Sequence, residues 1–274
     1  MAFAELTADL AADLTAAARK TVDGLARGPR QWAAGTFLAA TAATELAAGF
    51  RLPALERIAK PLIIPALTAH ALRDPQRWAL ADRTLFAAMG GLHALGDVVL
   101  LGDGEATDAA RLTPGALAFG GGHLAGLALY ARRGIGFRPL QSIAAGAVGV
   151  AVCGVLAAGE GRALRPSAHH LVQGAYAALL VEFMVRGAAT YQPGDPAPGA
   201  DSAADTRSAA GAQLALGAAA WLASDALIAV RLDRPRGSIA KRLLGVAVMD
   251  TYATGQLFTY SGIAALCAHR PSSS

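Results

Sequence analysis

The feature that most constrains this chain is a succession of long runs rich in alanine, glycine and leucine, separated by short breaks that carry charge, proline and glycine. A helix needs ~20 apolar residues to cross the hydrocarbon core of a bilayer, somewhat fewer when it is tilted or buried. Runs of that kind lie near 32–50, 58–72, 83–102, 113–131, 138–157, 168–187, 209–230 and 239–268. They predict an all-α polytopic membrane protein, a bundle of about eight transmembrane helices forming one domain over 31–270. The second run is short for a span, and the last is long enough to tilt or to extend past the bilayer. Charged residues make up only 16% of the chain, against about 25% in soluble domains, too few to solvate a globular surface.

The breaks carry turn signals: 73–77, 102–108, 132–136 and 231–237 combine arginine or aspartate with glycine or proline. The longest connection, from Tyr191 to Arg207, is rich in Pro, Gly, Asp and Ser and is expected to be an exposed, mobile loop. Residues 1–30 carry Glu5, Asp9, Asp13 and Asp23, which is not the basic-then-apolar order of a signal peptide. There Phe3, Leu6, Leu10, Leu14, Val22 and Leu25 recur at helical spacing, so this segment reads as an amphipathic helix on the membrane surface or a flexible leader, ending at Gly28-Pro29-Arg30. The net charge of +4 comes from arginines at the ends of apolar runs, the position of headgroup anchors. Basic clusters without interleaved aromatics exclude a nucleic-acid surface. Basic residues divide almost evenly between the two sides, and the weak bias places both termini in the cytoplasm.

Small residues dominate the runs. Helices in lipid associate by close backbone approach, so Gly146, Gly149 and Gly154 read as packing positions. Cys153 and Cys267 fall in apolar segments and read as small buried hydrophobes, not a disulfide or a metal site.

The polar exceptions inside the runs carry the chemistry. An ionisable group in hydrocarbon is costly and marks a functional site by default. Asp97 and Asp225 stand out because neither has a basic residue within one helical turn, so each needs a partner from another helix. His93 is one turn before Asp97 and shares its face, and Tyr252 and Gln256 are related in the same way. His123 follows three glycines; Lys60 and Pro61 open the second run, where proline is tolerated at a helix start. Glu45 and Glu182 lie near Arg51 and Arg186 and are expected to snorkel or pair. The role of Asp250 is open, and the adjacent His169 and His170 point to different helix faces, a poor chelate.

In order and placement these residues resemble the YhhN-type lysoplasmalogenase family of eight-helix membrane hydrolases. The matching motifs are Lys60-Pro61, Gly96-Asp97, Phe119 with His123, Trp221 with Ser224-Asp225, and Tyr252 with Gln256, running from about 58 to 260. The chain departs from the family pattern in carrying His93 where Ser is common one turn before the first Asp, and Gly126 where Tyr often follows the His.

The resemblance implies cleavage of the vinyl-ether bond of a lysophospholipid substrate drawn from the lipid bilayer, without a cofactor or metal. Vinyl ethers hydrolyse by proton delivery to the alkene carbon, giving an oxocarbenium ion that water captures. That chemistry asks for one protonated carboxyl and one carboxylate, the pair with which glycosidases meet the same need. Asp97 and Asp225 are the expected catalytic pair, facing each other inside the bundle. Lys60 would hold the phosphate, and His93, His123, Ser224, Tyr252 and Gln256 would position water and substrate. The expected location is the cell (inner) membrane. Two other readings use the same residues: a proton-coupled transporter, and a metal-dependent membrane hydrolase with His93, Asp97, His123 and Asp225 as ligands.

Overall fold

The computed structural model describes residues 2–26, 31–74, 78–101, 109–159, 161, 166–191, 202–232 and 238–268. Among them the chain is all-helical: α1 (Ala2–Ala26), α2 (Gln31–Phe50), α3 (Pro53–Ala71), α4 (Leu80–Leu100), α5 (Ala109–Arg132), α6 (Pro139–Gly159), α7 (Ala168–Ala188), α8 (Ser202–Leu232) and α9 (Ile239–Ala268). Among the described residues three helices are long and apolar enough to cross a membrane: α6, α7 and the 207–228 stretch of α8. Helix α6 turns Leu140, Ile143, Val150 and Val155 outward, the reverse of a helix that buries its apolar face in water.

The expected runs and the helices agree within a few residues for α2 and for α4 to α7, and turn chemistry explains several ends. Helix α2 stops at a left-handed cap: Arg51 has φ +57° and the Leu52 amide bonds back to the Ala47 carbonyl at 3.0 Å. Helix α5 ends in the same way at Gly134, with the Ile135 amide on the Tyr130 carbonyl at 2.9 Å. Helix α7 starts at Ser167, whose hydroxyl accepts the His170 amide at 3.5 Å.

Two expectations are corrected. Helix α3 begins at Pro53, so Lys60-Pro61 sits in the middle of a helix and does not open one. Pro61 and Pro65 each withhold the amide that would bond back one turn, leaving the α3 backbone weakly tied around Lys60. Helix α8 begins at Ser202, seven residues before the expected 209, because a serine and several alanines start a helix without needing an apolar run. The Tyr191–Arg207 connection is therefore shorter; its 192–201 stretch, like Gly28-Pro29-Arg30 and the breaks at 75–77, 102–108 and 233–237, lies outside the described residues. The N-terminal segment forms helix α1 over Ala2–Ala26. Its buried seam is Ala17, Thr21 and Leu25, one turn apart, while Val22 is exposed.

The chain divides into two compact units, Met1–Arg83 with Gly187–Ser274, and Thr84–Arg186. In the first unit α8 pairs with α9, α2 packs on α3 and α9, and α1 lies on α8. Gln213 Nε2 donates to Thr21 Oγ1 at 2.7 Å, both side chains buried, and the Tyr191 hydroxyl donates to Asp13 at 2.7 Å. In the second unit α6 and α7 meet backbone to backbone: a Cβ at Gly149 would overlap the Gly174 carbonyl, and the reverse. Gly146 and Gly154 face open space, so of the three glycines read as packing positions only Gly149 serves that purpose.

Candidate active-site residues

In the second unit the polar residues sit in an aromatic cluster. His93 and Asp97, one turn apart on α4, are 0% and 1% exposed, and His123 on α5 is 0% exposed. The two imidazoles meet edge to face with centroids 4.9 Å apart, and Phe119 lies 5.6 Å from His93. Helix α7 completes the cluster, with Phe183 stacked on His123 at 5.2 Å and Tyr176 at 5.7 Å. Tyr176 and Phe183 are two turns apart on one helix face, a spacing visible in the sequence but without a polar marker to single it out.

Glycine explains how so many rings fit. A Cβ at Gly122 would overlap the His93 ring, and one at Gly126 would overlap Phe183. Gly96, next to Asp97, is likewise pressed against the Phe119 ring. The Gly96-Asp97 and Phe119 motifs are thus two halves of one contact: the glycine exists so that the phenylalanine can approach. The departure at Gly126 has the same logic, since Phe183 fills the space a larger residue would take.

In the first unit Lys60, Tyr252, Trp221 and Gln256 converge from α3, α9 and α8. The Lys60 ammonium lies 5.8 Å from the centroid of the Tyr252 ring, a cation–π distance, and Trp221 meets Tyr252 edge-on at 6.4 Å. Gln256, one turn beyond Tyr252, is 0% exposed, and neither its amide oxygen nor its nitrogen has a hydrogen-bond partner among the described residues. A buried amide without partners costs on the order of 1–3 kcal/mol, which a bound polar group or water would recover. Ser224 is buried and donates its hydroxyl to the Val248 carbonyl at 3.1 Å. That bond ties α8 to α9 and fixes the rotation of α8 at Asp225, which is half-buried.

The remaining polar residues sort by partner. Glu182 forms an ion pair with Arg186 one turn later and accepts the Ser142 hydroxyl at 2.9 Å. Among the described residues Glu45 forms no ion pair, and the carboxylate of Asp250 on α9 is near enough to repel it. His169 Nδ1 meets the Thr113 hydroxyl at 2.8 Å and His170 Nδ1 accepts the Ser167 amide at 3.1 Å, so the two rings serve separate contacts. Among the described residues neither cysteine is in a disulfide; Cys267 is buried and Cys153 half-buried. Among the described residues no group of three or more His, Cys, Asp or Glu side chains is arranged to hold a metal ion.

Helices of membrane-crossing length, with histidine, carboxylate and amide side chains seated among apolar and aromatic ones, define a class of helical membrane protein with polar sites built inside it. The particular family follows from comparison: the YhhN family model matches residues 55–263, most of the chain, and the chain belongs to that family. Comparison with curated proteins and with solved structures returns no match.

Proposed function

We propose that this chain is a multi-pass hydrolase of the cell membrane, with about eight spanning helices in one domain and both termini cytoplasmic. Its reaction is cleavage of the vinyl-ether bond of lysoplasmalogens to a fatty aldehyde and a glycerophospho-base. The observation that carries this reading is the family match, which spans both aspartates and every other polar residue named for the site. A protonated carboxyl delivers its proton to the alkene carbon, and a carboxylate stabilises the resulting oxocarbenium ion. Water adds to that ion, and the hemiacetal formed collapses to aldehyde and glycerol hydroxyl, returning the proton. Asp97 and Asp225 supply the two carboxyl groups. Lys60, with its point charge, holds the phosphate. Gln256 and Tyr252 bind the glycerol oxygens and water, and His93, His123 and Ser224 complete substrate positioning.

The test is aldehyde release from a lysoplasmalogen by purified protein in detergent. Asp97→Asn and Asp225→Asn are each expected to reduce the rate by about 10³-fold, within the range of general acid–base contributions. Residues that act as a unit are non-additive, so the double variant is expected to lose little more than either single one. Activity that survives both substitutions would sink the carboxylate mechanism. A folded wild type that turns over no vinyl ether overturns the hydrolase reading altogether.

A further inference from the structure

One end of the first unit encloses a cavity of about 290 Å³ between α1, α3, α8 and α9. It is a different layer of the unit from the Lys60–Tyr252–Gln256 cluster. Its α9 wall begins at Tyr260 and Ser261, and Ser261 is about 7.5 Å along the helix from Gln256 at 1.5 Å per residue. Its α3 wall is the helix end carrying Leu67, His70 and Ala71, two to three turns beyond Lys60, and Arg73 follows just past that end. The Thr21–Gln213 hydrogen bond clamps α1 to α8 and so keeps the wall in place.

The charges on this wall point to a ligand. Arg73 donates Nη1 to His70 Nε2 at 2.5 Å and reaches the Gly24 carbonyl at 3.5 Å. Both partners are uncharged acceptors, and no carboxylate pairs with Arg73 among the described residues. A guanidinium carries five donors in a planar fork suited to phosphate or carboxylate, so most of this one's capacity faces the cavity unspent. Lys20, exposed on α1, adds a second cation to the wall. Trp78, 5% exposed, and alanines of α8 and α9 make the rest apolar. Asp74 also lines the space, and its carboxylate penalises a ligand with a second negative charge. A phosphomonoester carries about −1.5 to −2 at neutral pH, whereas a diester carries one charge. The volume is at the lower end for ligand pockets, right for a headgroup and too small for a whole lipid.

We infer that this cavity binds a phosphodiester group, presented by a phospholipid headgroup or by a soluble glycerophosphodiester. Its ligand shares the phosphodiester of the substrate and product proposed above, but the cavity is a second place that Lys60, Tyr252 and Gln256 do not line, and the Arg73 and Lys20 variants tell the two apart. Full-length protein in maltoside detergent is titrated with glycerophosphocholine and with glycerol 3-phosphate, following intrinsic tryptophan fluorescence and heat release. The diester is expected to bind saturably and more tightly than the monoester, and Asp74→Asn to narrow that preference. Arg73→Gln is expected to weaken diester binding about tenfold or more, with partial recovery in Arg73→Lys. Should Arg73→Gln fail to fold, Lys20→Gln, an exposed change, is expected to weaken binding about threefold. Arg19→Gln, exposed on the same helix but outside the cavity, is expected to have no effect. Repeating the titration in phosphatidylcholine nanodiscs separates the sources: loss of soluble-diester binding assigns the site to headgroups, and retention assigns it to the soluble ligand. Absence of saturable diester binding in detergent, or binding that Arg73→Gln and Lys20→Gln leave intact, overturns the inference.

Discussion

The two clusters that hold the candidate active-site residues are built on opposite plans. Around His123, five rings and three glycines fill the space, and the glycines are spent on bringing aromatic side chains into contact. Around Gln256, the helices meet through Ser224 and Val248, yet a fully buried amide has no hydrogen-bond partner among the described residues. A filled cluster resists change because any added atom must displace a neighbour in a close-packed interior. A buried amide without a hydrogen-bond partner leaves the region underfilled in bonds, not in atoms, so it tolerates replacement in the folded protein and expresses it in binding. The first therefore bears on how well the second unit packs, and under the proposed function the second is where the substrate binds.

The largest expected effect tests the filled cluster. Gly122→Leu drives a side chain into the His93 ring and should destabilise the protein by about 3 kcal/mol, the upper end for overpacking. Gly91→Leu, on α4 with nothing within 4 Å of an added Cβ, is the matched control and should be close to neutral. Thermal unfolding in detergent by size-exclusion fluorescence compares them. Equal melting temperatures would mean that the cluster is loosely packed and that the contrast between the two regions is false.

The next effect has the opposite sign and probes the underfilled region. Gln256→Leu removes an amide that has no partner and replaces it with an apolar group of similar size. Stability should hold or rise by about 1–2 kcal/mol, because an unsatisfied buried polar group is a cost. Turnover of a lysoplasmalogen should nevertheless fall at least tenfold, if the amide serves the substrate. A variant that loses stability and activity together would show that the amide has a structural partner, and the comparison would collapse.

These contrasts also show what could be read from the chain. The helices were legible because lipid demands long apolar runs and the breaks between them concentrate arginine, glycine and proline. Where a helix needs no apolar run its start was hidden, as at Ser202, and where a proline is tolerated in a helix interior it misplaced a boundary, as at Pro61. For the candidate residues, burial of His93, Asp97, His123, Ser224 and Gln256 was legible from their apolar flanks. Their neighbours were not. That Gly96 exists for Phe119, and Gly122 for His93, depends on which helices are adjacent, and periodicity along one helix carries no such information. The same limit hid Arg73, which looks like an ordinary turn residue until α1 closes over it.

A smaller effect separates structural from chemical roles within the underfilled region. Ser224→Ala deletes the hydroxyl that donates to Val248 and leaves that helical carbonyl to its backbone partner and to the Thr251 hydroxyl at 3.1 Å. The loss should be about 1 kcal/mol, the usual net worth of one such bond. Because the bond fixes α8 next to Asp225, kcat should fall more than KM changes. Ser224→Thr keeps the hydroxyl and should restore most of both. A rise in KM with kcat unchanged would place Ser224 on the substrate and remove its positioning role.

The smallest effect on stability concerns Lys60, and it sharpens the comparison most. Its ammonium over the Tyr252 ring contributes on the order of 0.5–1 kcal/mol, so Lys60→Met, which keeps the apolar stem, should leave the melting temperature nearly unchanged. If Lys60 holds the substrate phosphate, KM should rise by about tenfold while kcat at saturation changes little, since a point charge on a remote phosphate binds ground and transition states alike. Lys60→Arg preserves the charge but spreads it over a planar fork on a helix already weakened by Pro61 and Pro65. Its KM should lie between the other two. An unchanged KM in Lys60→Met, with melting lowered by several degrees, would make the lysine a packing residue of Tyr252, and both polar regions would then be built on the same filled plan.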